Sequence, residues 1–300
     1  FRTVYGDEYP VDFVYQPDYW VRQDQLYTYV ASCDDGGVAG LVSFYRVAPF
    51  GGLFECGQLA VAPDWRKARL GKRLVRYALD SFVGEPVVQG IFAEMGCHWT
   101  VSQHMFASLD FQECAFAVEL LGSETYAREH DVDQRTSAIV SYFDVRDRSQ
   151  TLFVAPEDRP LLDWIYSGFS LQRQFAEHGQ PLAGQSAIHK AYLAQPRLGR
   201  LDFSAVGADF EACLQESEIE FQQQGAALVQ LRLPLEDPGC VSARRLAGSR
   251  GYRVCGLLPR WFDGDGLLLQ LNWSPPDFSR DQIATERGRI LAERIQHQWK

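Results

Sequence analysis

The segment from Gly57 to Asp80 is the part of the sequence that most constrains the fold. It begins with a short apolar run, passes through Pro63 into a turn rich in basic residues, and ends in an amphipathic run. Apolar residues recur at helical spacing in that last run, so the order is strand, tight turn and helix N-terminus. The apolar positions of the predicted helix are Leu70, Leu74, Val75, Ala78 and Leu79.

The turn in this segment concentrates positive charge. Five cations fall within residues 66–73 of a chain whose formal net charge is −10. A helix N-terminus offers unpaired backbone N–H groups and the positive end of the helix dipole, and it readily binds phosphate. We therefore predict an anion site at this turn, with a solvated basic helix start as the simpler alternative. The cations are Arg66, Lys67, Arg69, Lys72 and Arg73.

Composition excludes several other functions. The acidic balance and the lack of an extended basic face argue against bulk nucleic-acid binding. No apolar run reaches the roughly 18 residues that a membrane-spanning helix needs, and no signal peptide is recognisable. The seven cysteines are odd in number and form no C-x-x-C pair, which favours reduced, buried thiols over disulfides or a metal site. We expect a cytoplasmic protein with no metal centre and no membrane or nucleic-acid partner.

Periodicity predicts the main elements on either side of the turn. Alternating apolar residues around a glycine-rich turn predict a β-hairpin over 27–46. A strand follows at 54–62 and a helix at 71–82. The sequence ends in a predicted amphipathic helix over 279–299, with Ser279 as its N-cap.

The two halves of the sequence share one order of elements. The strand, helix and strand predicted over 87–121 return as a strand, helix and two strands over 227–272. This indicates a structural duplication, with domains at 1–145 and 146–300. The basic turn is not duplicated, because no cluster of cations precedes the second helix at Ala208.

The order of elements and the basic turn together resemble the GNAT superfamily of acyl-CoA N-acyltransferases. Its signature is Gln/Arg-x-x-Gly-x-Gly/Ala at a helix start, where backbone N–H groups hold the cofactor pyrophosphate. Here Arg66 and Gly71 match, and Arg69 stands where the family usually has its first glycine. The helix and corner at 103–111 are similar to the place where many members end a Tyr-bearing helix in Leu-Gly-Phe. The resemblance covers residues 25–120.

This resemblance implies an α+β (three-layer α/β) fold. We expect two tandem GNAT-like domains, as in a group of bacterial proteins, each a mixed, mainly antiparallel sheet flanked by helices. The first domain would bind acyl-CoA. The second would be a degenerate copy, structural or part of the acceptor site, because it lacks the pyrophosphate turn.

The resemblance also implies acetyl-CoA, or another acyl-CoA, as the cofactor. Backbone groups of the apolar strand would pair with the pantetheine arm as an extra strand would. Phe106 stands where the family usually has an acid tyrosine, which leaves His104 or a water to replace it. The predicted cofactor-binding residues are Leu59, Ala60, Val61, Arg66, Lys67, Ala68, Arg69, Leu70, Gly71, Lys72, Arg73 and Phe106.

Acyl transfer to an amine needs a base, and three residues are candidates for the catalytic group. Glu55 stands where the family often has its base glutamate, and its apolar neighbours would raise its pKa; pairing with an arginine is the alternative. Glu94 and His98 end the neighbouring strand, where both would face the reaction, although a lone histidine is more often structural. Cys97 as a nucleophile is a weaker alternative, since no paired base is evident.

These residues predict an N-acyltransferase that moves the acyl group directly to a small-molecule amine in a ternary complex. Arg69 and Phe106 favour the main alternative, a non-catalytic CoA-binding sensor or interaction module. Other acyl-thioester chemistry on CoA or a carrier protein is a third possibility. Aromatic and acidic residues over 5–20 predict either a lip for a cationic acceptor or packing between the halves. A monomer and a homodimer both stay open.

Overall fold

One long β-sheet runs through both halves of the chain. In this computed structural model the sheet has eleven strands, and a separate two-stranded sheet lies beside it. None of the helices in the described part of the chain is long and apolar enough to cross a membrane. The structure describes Val4 and residues 12–21, 26–34, 36–122, 134–176 and 178–299.

The first half contains the predicted hairpin, strand and helix, with ends that differ by a few residues, as helix and strand bounds commonly do. The helix after the basic turn buries the predicted apolar face, and the ring of Phe82 stacks on Phe44 with centroids 4.4 Å apart. A short 3-10 helix, Pro63–Ala68, precedes this helix. The elements are β1 (Leu26–Ser32), β2 (Val38–Tyr45), β3 (Leu53–Val61), α1 (Leu70–Phe82), β4 (Gly90–Gly96), α2 (Thr100–Ala107), β5 (Gln112–Leu121) and β6 (Thr136–Asp144).

The second half begins with a small α/β segment and then repeats the order of the first. Its central strands are buried on both faces and therefore read as nearly continuous apolar runs. The elements are β7 (Gln150–Leu152), α3 (Arg159–Tyr166), β8 (Arg173–Phe175), β9 (Ala187–Leu193), β10 (Leu198–Ala205), α4 (Phe210–Gln223), β11 (Leu228–Pro234), α5 (Cys240–Ser249), β12 (Arg253–Phe262), β13 (Gly264–Asn272) and α6 (Glu286–Gln296).

The strand order of the large sheet repeats between the two halves. The large sheet runs β1-β2-β3-β4-β6-β5-β12-β13-β11-β10-β9. Within its described strands, β3 with β4 and β10 with β11 are the parallel pairs, and the remaining neighbours are antiparallel. The series β2-β3-β4-β6-β5 is thus matched by β9-β10-β11-β13-β12. The mixed, mainly antiparallel sheet flanked by helices is confirmed, whereas the boundary between 1–145 and 146–300 stays a prediction.

The two half-sheets join where β5 meets β12. Gly256 pairs with Ala115 across this junction, and its φ of 129° lies in the range that favours glycine. A Cβ on Gly256 would lie 2.4 Å from the Cys114 carbonyl oxygen and 2.5 Å from the Ala115 Cα. The close approach of these two backbones therefore requires a glycine at this position.

The C-terminal helix begins later than predicted. Helix α6 starts at Glu286, and its N-cap is Thr285, whose Oγ1 accepts a hydrogen bond from Gly288 N at 3.0 Å. The prediction of a helix from Ser279 was therefore wrong.

Contacts with the first half explain the late start. The Asp281 carboxylate accepts hydrogen bonds from the Ser137 N and Oγ at 2.9 and 2.6 Å. The Gln103 side chain donates to the Gln282 carbonyl and accepts from Ala284 N, both at 2.9 Å. These tertiary bonds keep residues 281–284 out of the helix and connect them to the first half.

We predict that Gly256→Ala lowers the free energy of unfolding by about 2 kcal/mol or more, because the new Cβ overlaps backbone atoms and the φ is strained. Urea unfolding measures the loss. Gly225→Ala is the matched control, since Gly225 also has a positive φ, 81°, but a Cβ there would meet nothing within 4 Å. Equal losses in the two variants would contradict the proposed role of close approach.

Candidate functional site

Strands β3 and β4 separate part of the way along their length. Their parallel pairing comprises Leu53 with Gly90, Phe54 with Ile91 and Glu55 with Phe92, although β3 continues to Val61 and β4 to Gly96. Past the last pair, β3 carries a bulge against β2, where Gln58 adopts a φ of 53°. The result is a gap in the sheet, with Glu55 at its closed end.

Glu55 lies beside a tyrosine at the closed end of the gap. The Tyr45 hydroxyl donates a hydrogen bond to Glu55 Oε1 at 2.6 Å. A Cβ on Gly57 would lie 2.4 Å from the Tyr45 hydroxyl, so the glycine leaves space for this pair. No ion pair of Glu55 with an arginine is found among the described residues. The Tyr45 hydroxyl is the hydrogen-bond partner of the carboxyl group instead.

The environment of Glu55 favours its protonated form. Burial and, to a smaller extent, the nearby charge of Glu94 raise the pKa of Glu55, whereas the Tyr45 hydrogen bond and the charge of Arg200 lower it; the net pKa is about 8. Glu55 is therefore largely neutral at pH 7 and ionises near pH 8. A carboxyl group tuned in this way is suited to accept a proton close to neutral pH.

Glu94 lies two residues beyond Phe92, the last residue of β4 that pairs with β3. Its side chain is 22% exposed, and its Oε2 lies 3.9 Å from Nη2 of Arg200 on β10. The structure thus brings the predicted pair Glu55 and Glu94 together. It also adds an arginine from the other half of the chain, which the sequence analysis missed.

Further second-half residues lie next to Arg200. The last parallel pair between β10 and β11 is Asp202 with Arg232. In the same way, the last parallel pair between β3 and β4 is Glu55 with Phe92. Asp202 Oδ1 accepts a hydrogen bond from Trp261 Nε1 at 2.7 Å and lies 3.4 Å from Arg232 Nη1. The Trp261 ring contacts Phe92 of the first half, with centroids 5.7 Å apart. The sequence did offer one signal for these residues: charged side chains are unusual within otherwise apolar strands such as β10 and β11.

His98 follows β4 and folds back against it. A Cβ on Gly96 would lie 2.5 Å from both Cε1 and Nδ1 of His98, so the glycine makes room for the ring. The neighbouring Cys97 is buried, and burial together with the charge of Asp281 raises its pKa well above the usual value. A neutral, buried thiol disfavours Cys97 as a nucleophile. A catalytic role for His98 stays a prediction.

The basic turn has a backbone suited to an anion. Arg69 adopts the left-handed conformation, with φ 54° and ψ 27°, between the 3-10 helix and α1. No side chain caps the N-terminus of α1, so the N–H groups of its first turn point outward without a side-chain acceptor. Arg66, Lys72 and Arg73 are exposed around it, and Arg66 Nε also donates to the Val61 carbonyl at 3.2 Å.

Phe106 lies in the core. Its side chain is 5% exposed and packs edge-to-face on Phe111, with centroids 4.9 Å apart. The predicted contact between Phe106 and the cofactor is not supported by this position and stays a prediction. His104, the suggested replacement for the acid, is exposed on α2.

The aromatic N-terminal segment contacts the β3 bulge. Gln58 Nε2 donates a hydrogen bond to the Tyr19 hydroxyl at 2.5 Å, and Trp20 Nε1 donates to the Val14 carbonyl at 2.8 Å. The segment therefore borders the gap at this point. The other residues of the predicted lip, Tyr5, Asp7, Glu8 and Tyr9, lie outside the described residues.

The matching turn in the second half is filled by the chain itself. Ala208 N donates to the Gly184 carbonyl at 3.0 Å, and Gly207 N donates to Ser186 Oγ at 2.9 Å. Ser186 N in turn donates to Asp209 Oδ1 at 2.7 Å. A Cβ on Gly207 would lie 2.4 Å from the carbonyl carbon of Gln185. This helix start is therefore closed to a phosphate, in agreement with a degenerate second copy.

The described residues of this site do not form a cluster of metal ligands. Within the described ranges, no group of three or more His, Cys, Asp or Glu side chains is arranged to hold a metal ion. The polar groups at the gap are two carboxyls, a phenol and guanidinium groups, of which guanidinium carries no lone pair to offer a metal.

Comparison with known proteins supports the first half of this description. A model of the acetyltransferase (GNAT) family matches residues 1–111 of the chain. No curated protein matches.

Solved structures of N-acetyltransferases are similar to less than half of the chain. The ribosomal-protein-S18-alanine N-acetyltransferase from Escherichia coli is 16% identical with a TM-score of 0.36, and the match covers 43% of this chain and 74% of that one. Mutant forms of the spermidine/spermine N-acetyltransferase from Vibrio cholerae are 15% identical with a TM-score of 0.35, covering 43% of this chain and 72% of theirs.

We predict that Arg69→Gly raises the free energy of unfolding by about 1 kcal/mol, because a left-handed conformation strains any residue with a Cβ. Urea unfolding at pH 7 measures the change. Arg69→Ala is the control, since it removes the same positive charge and keeps the strain. An equal gain in both variants would assign the effect to charge repulsion within the turn and refute the backbone explanation.

Proposed function

We propose that this protein is an acetyl-CoA-dependent N-acetyltransferase that acts on a small-molecule amine by direct transfer in a ternary complex. The observation that carries the proposal is Glu55, a carboxyl with a pKa of about 8 at the closed end of the gap between β3 and β4. The match of residues 1–111 to the acetyltransferase (GNAT) family model supports acyl transfer in general.

The gap and the turn suit the cofactor. Beyond Glu55, the edge of β3 that includes Leu59, Ala60 and Val61 is not paired with β4, so its backbone groups suit the amides of a pantetheine arm. The uncapped start of α1 and the cations at 66–73 suit a pyrophosphate. Bound there, acetyl-CoA supplies an activated thioester at the closed end of the gap.

Glu55 acts as the base in this proposal. It takes a proton from the acceptor amine, which leaves the nitrogen lone pair free to attack. Tyr45 holds the carboxyl in place through its 2.6 Å hydrogen bond. Burial, together with the charge of Glu94, keeps the pKa of Glu55 close to that of a weakly basic amine, so that the proton transfer is nearly balanced in free energy.

A CoA-binding sensor is the second candidate. Two observations favour it: Arg69 strains the turn where the family has a glycine, and Phe106 packs in the core at the place of the family's acid tyrosine. Such a protein would bind the cofactor and release no thiol in the presence of amines.

We predict that acetyl-CoA binds the wild-type protein and that the double variant Arg66→Ala/Lys72→Ala binds it at least about tenfold more weakly, because two phosphate-facing cations are lost. Titration calorimetry measures both constants. Arg76→Ala, on a later turn of α1, is the control and should bind as the wild type does. Absence of binding to the wild type would refute both the enzyme and the sensor.

We predict that kcat/KM for acetyl transfer, followed by release of free thiol, rises with pH and levels off above an inflection near pH 8, because Glu55 must be ionised to act as a base. Glu55→Gln should abolish this limb of the profile. A limb that survives unchanged in Glu55→Gln would exclude Glu55 as the base.

We predict opposite shifts of the same inflection in two neighbouring variants. Tyr45→Phe should raise the apparent pKa of Glu55, because the carboxylate loses a hydrogen bond. Glu94→Gln should lower it, because a repelling charge is removed. Shifts in the same direction would show that the titrating group is not Glu55.

A further inference from the structure

Arg200 places a positive charge next to the proposed base, and it comes from the second half of the chain. It lies on β10, and its Nη2 is 3.9 Å from Glu94 Oε2 on β4. The two side chains are 21% and 22% exposed. Solvent therefore reaches this pair, and so can a small molecule bound at the gap.

Arg200 makes no close hydrogen bond to Glu94, because a separation of 3.9 Å is too long for one. Its Nε is buried, and no hydrogen-bond partner for it is found among the described residues. A guanidinium group has five N–H donors arranged to bind a carboxylate in a bidentate manner. A buried donor without a partner is unfavourable unless a ligand satisfies it.

Other arginines of the second half are paired far more closely. Arg244 binds Asp158 through two hydrogen bonds of 2.7 and 2.9 Å, and Arg173 Nε lies 2.6 Å from Asp265. These pairs have the geometry of structural links. The loose contact of Arg200 with Glu94 differs from them, which argues against a purely structural role for Arg200.

The neighbouring charges leave Arg200 available. Arg232 is 2% exposed and is matched by Asp202 and by the Trp261 ring, which lies 4.5 Å from its guanidinium. Asp202 is itself engaged by the Trp261 indole. Glu94 is therefore the carboxylate that faces Arg200, and Glu55 is close enough to feel the charges of both.

We propose, as an extension of the proposed function, that the acceptor is a free α-amino acid whose carboxylate is bound by Arg200. Its amino group lies between Glu55 and Glu94, so the molecule replaces one loose ion pair by two direct contacts. An α-amino acid carries both groups on one carbon, and that short spacing suits an Arg–Glu pair held 3.9 Å apart.

The reaction then balances with the groups present. Glu55 takes one proton from the ammonium group and then releases it to solvent. The neutral nitrogen forms a bond to the acyl carbon as the carbon–sulfur bond breaks, and its second proton ends on the sulfur, so the products are an N-acetyl amino acid, CoA with a free thiol and one proton. Arg200 takes no part in the proton transfer and determines acceptor specificity.

Matched acceptor pairs test this proposal. Thiol release is measured for alanine against ethylamine, phenylalanine against phenethylamine, and lysine against cadaverine. The wild-type protein should give a kcat/KM at least tenfold higher for the amino acid of at least one pair. Arg200→Gln should remove that preference by raising KM for the amino acid, with little change for the amine, and Arg200→Lys should restore part of it.

Arg245→Gln is the matched control, since it removes a cation of the second half from an exposed pair with Glu157 and should leave every value unchanged. Preference for the amine, or an equal loss with both members of a pair in Arg200→Gln, overturns the proposal. An equal loss would mark Arg200 as a structural residue.

Binding measurements distinguish a failure of the amino-acid site from a failure of the proposed enzymatic function. If acetyl-CoA binds but no acceptor releases thiol, the enzymatic function fails, and the amino acids are titrated calorimetrically into the protein with CoA present. Binding to the wild type that is lost in Arg200→Gln supports an amino-acid site even then. The absence of such binding overturns it.

Discussion

The architecture depends on one close backbone contact, the pairing of β5 with β12. Gly256 and Ala115 approach so closely that no side chain fits between the strands, and this contact makes one continuous sheet from two half-sheets. The sheet then curves enough for β10 to reach β4, since Arg200 contacts Glu94 across it. The candidate site is therefore built from both halves, although only the first half carries the basic turn.

The two halves have the same topology and differ in what fills their gaps. The first helix start has no side-chain cap, and Arg66, Arg69, Lys72 and Arg73 around it are exposed. The second is occupied by residues 184–186, which satisfy the N–H groups that an anion would otherwise bind. The second half contributes the charged side chains of β10 and β11 instead. The two helix starts therefore differ in whether an anion could reach their backbone N–H groups.

Local signals explain which features were predictable from the sequence. Helix α1 follows from its apolar spacing, and the family resemblance placed Glu55 and Glu94 on neighbouring strands. The late start of α6 was not predictable, because the hydrogen bonds that keep Asp281 out of a helix come from Ser137, far away in the sequence. Arg200 was missed for the same reason: nothing near it in sequence indicates that it faces Glu94.

The bonds from Asp281, Gln282 and Ala284 to the first half also bear on how the chain is made. Ser137 and Gln103 are synthesised long before residues 281–284, so their native hydrogen bonds form only after that segment has been made. Domains generally fold as units during synthesis, N-terminal part first. Here the first half cannot form these hydrogen bonds in that order, and it gains them only when the segment at 281–284 arrives.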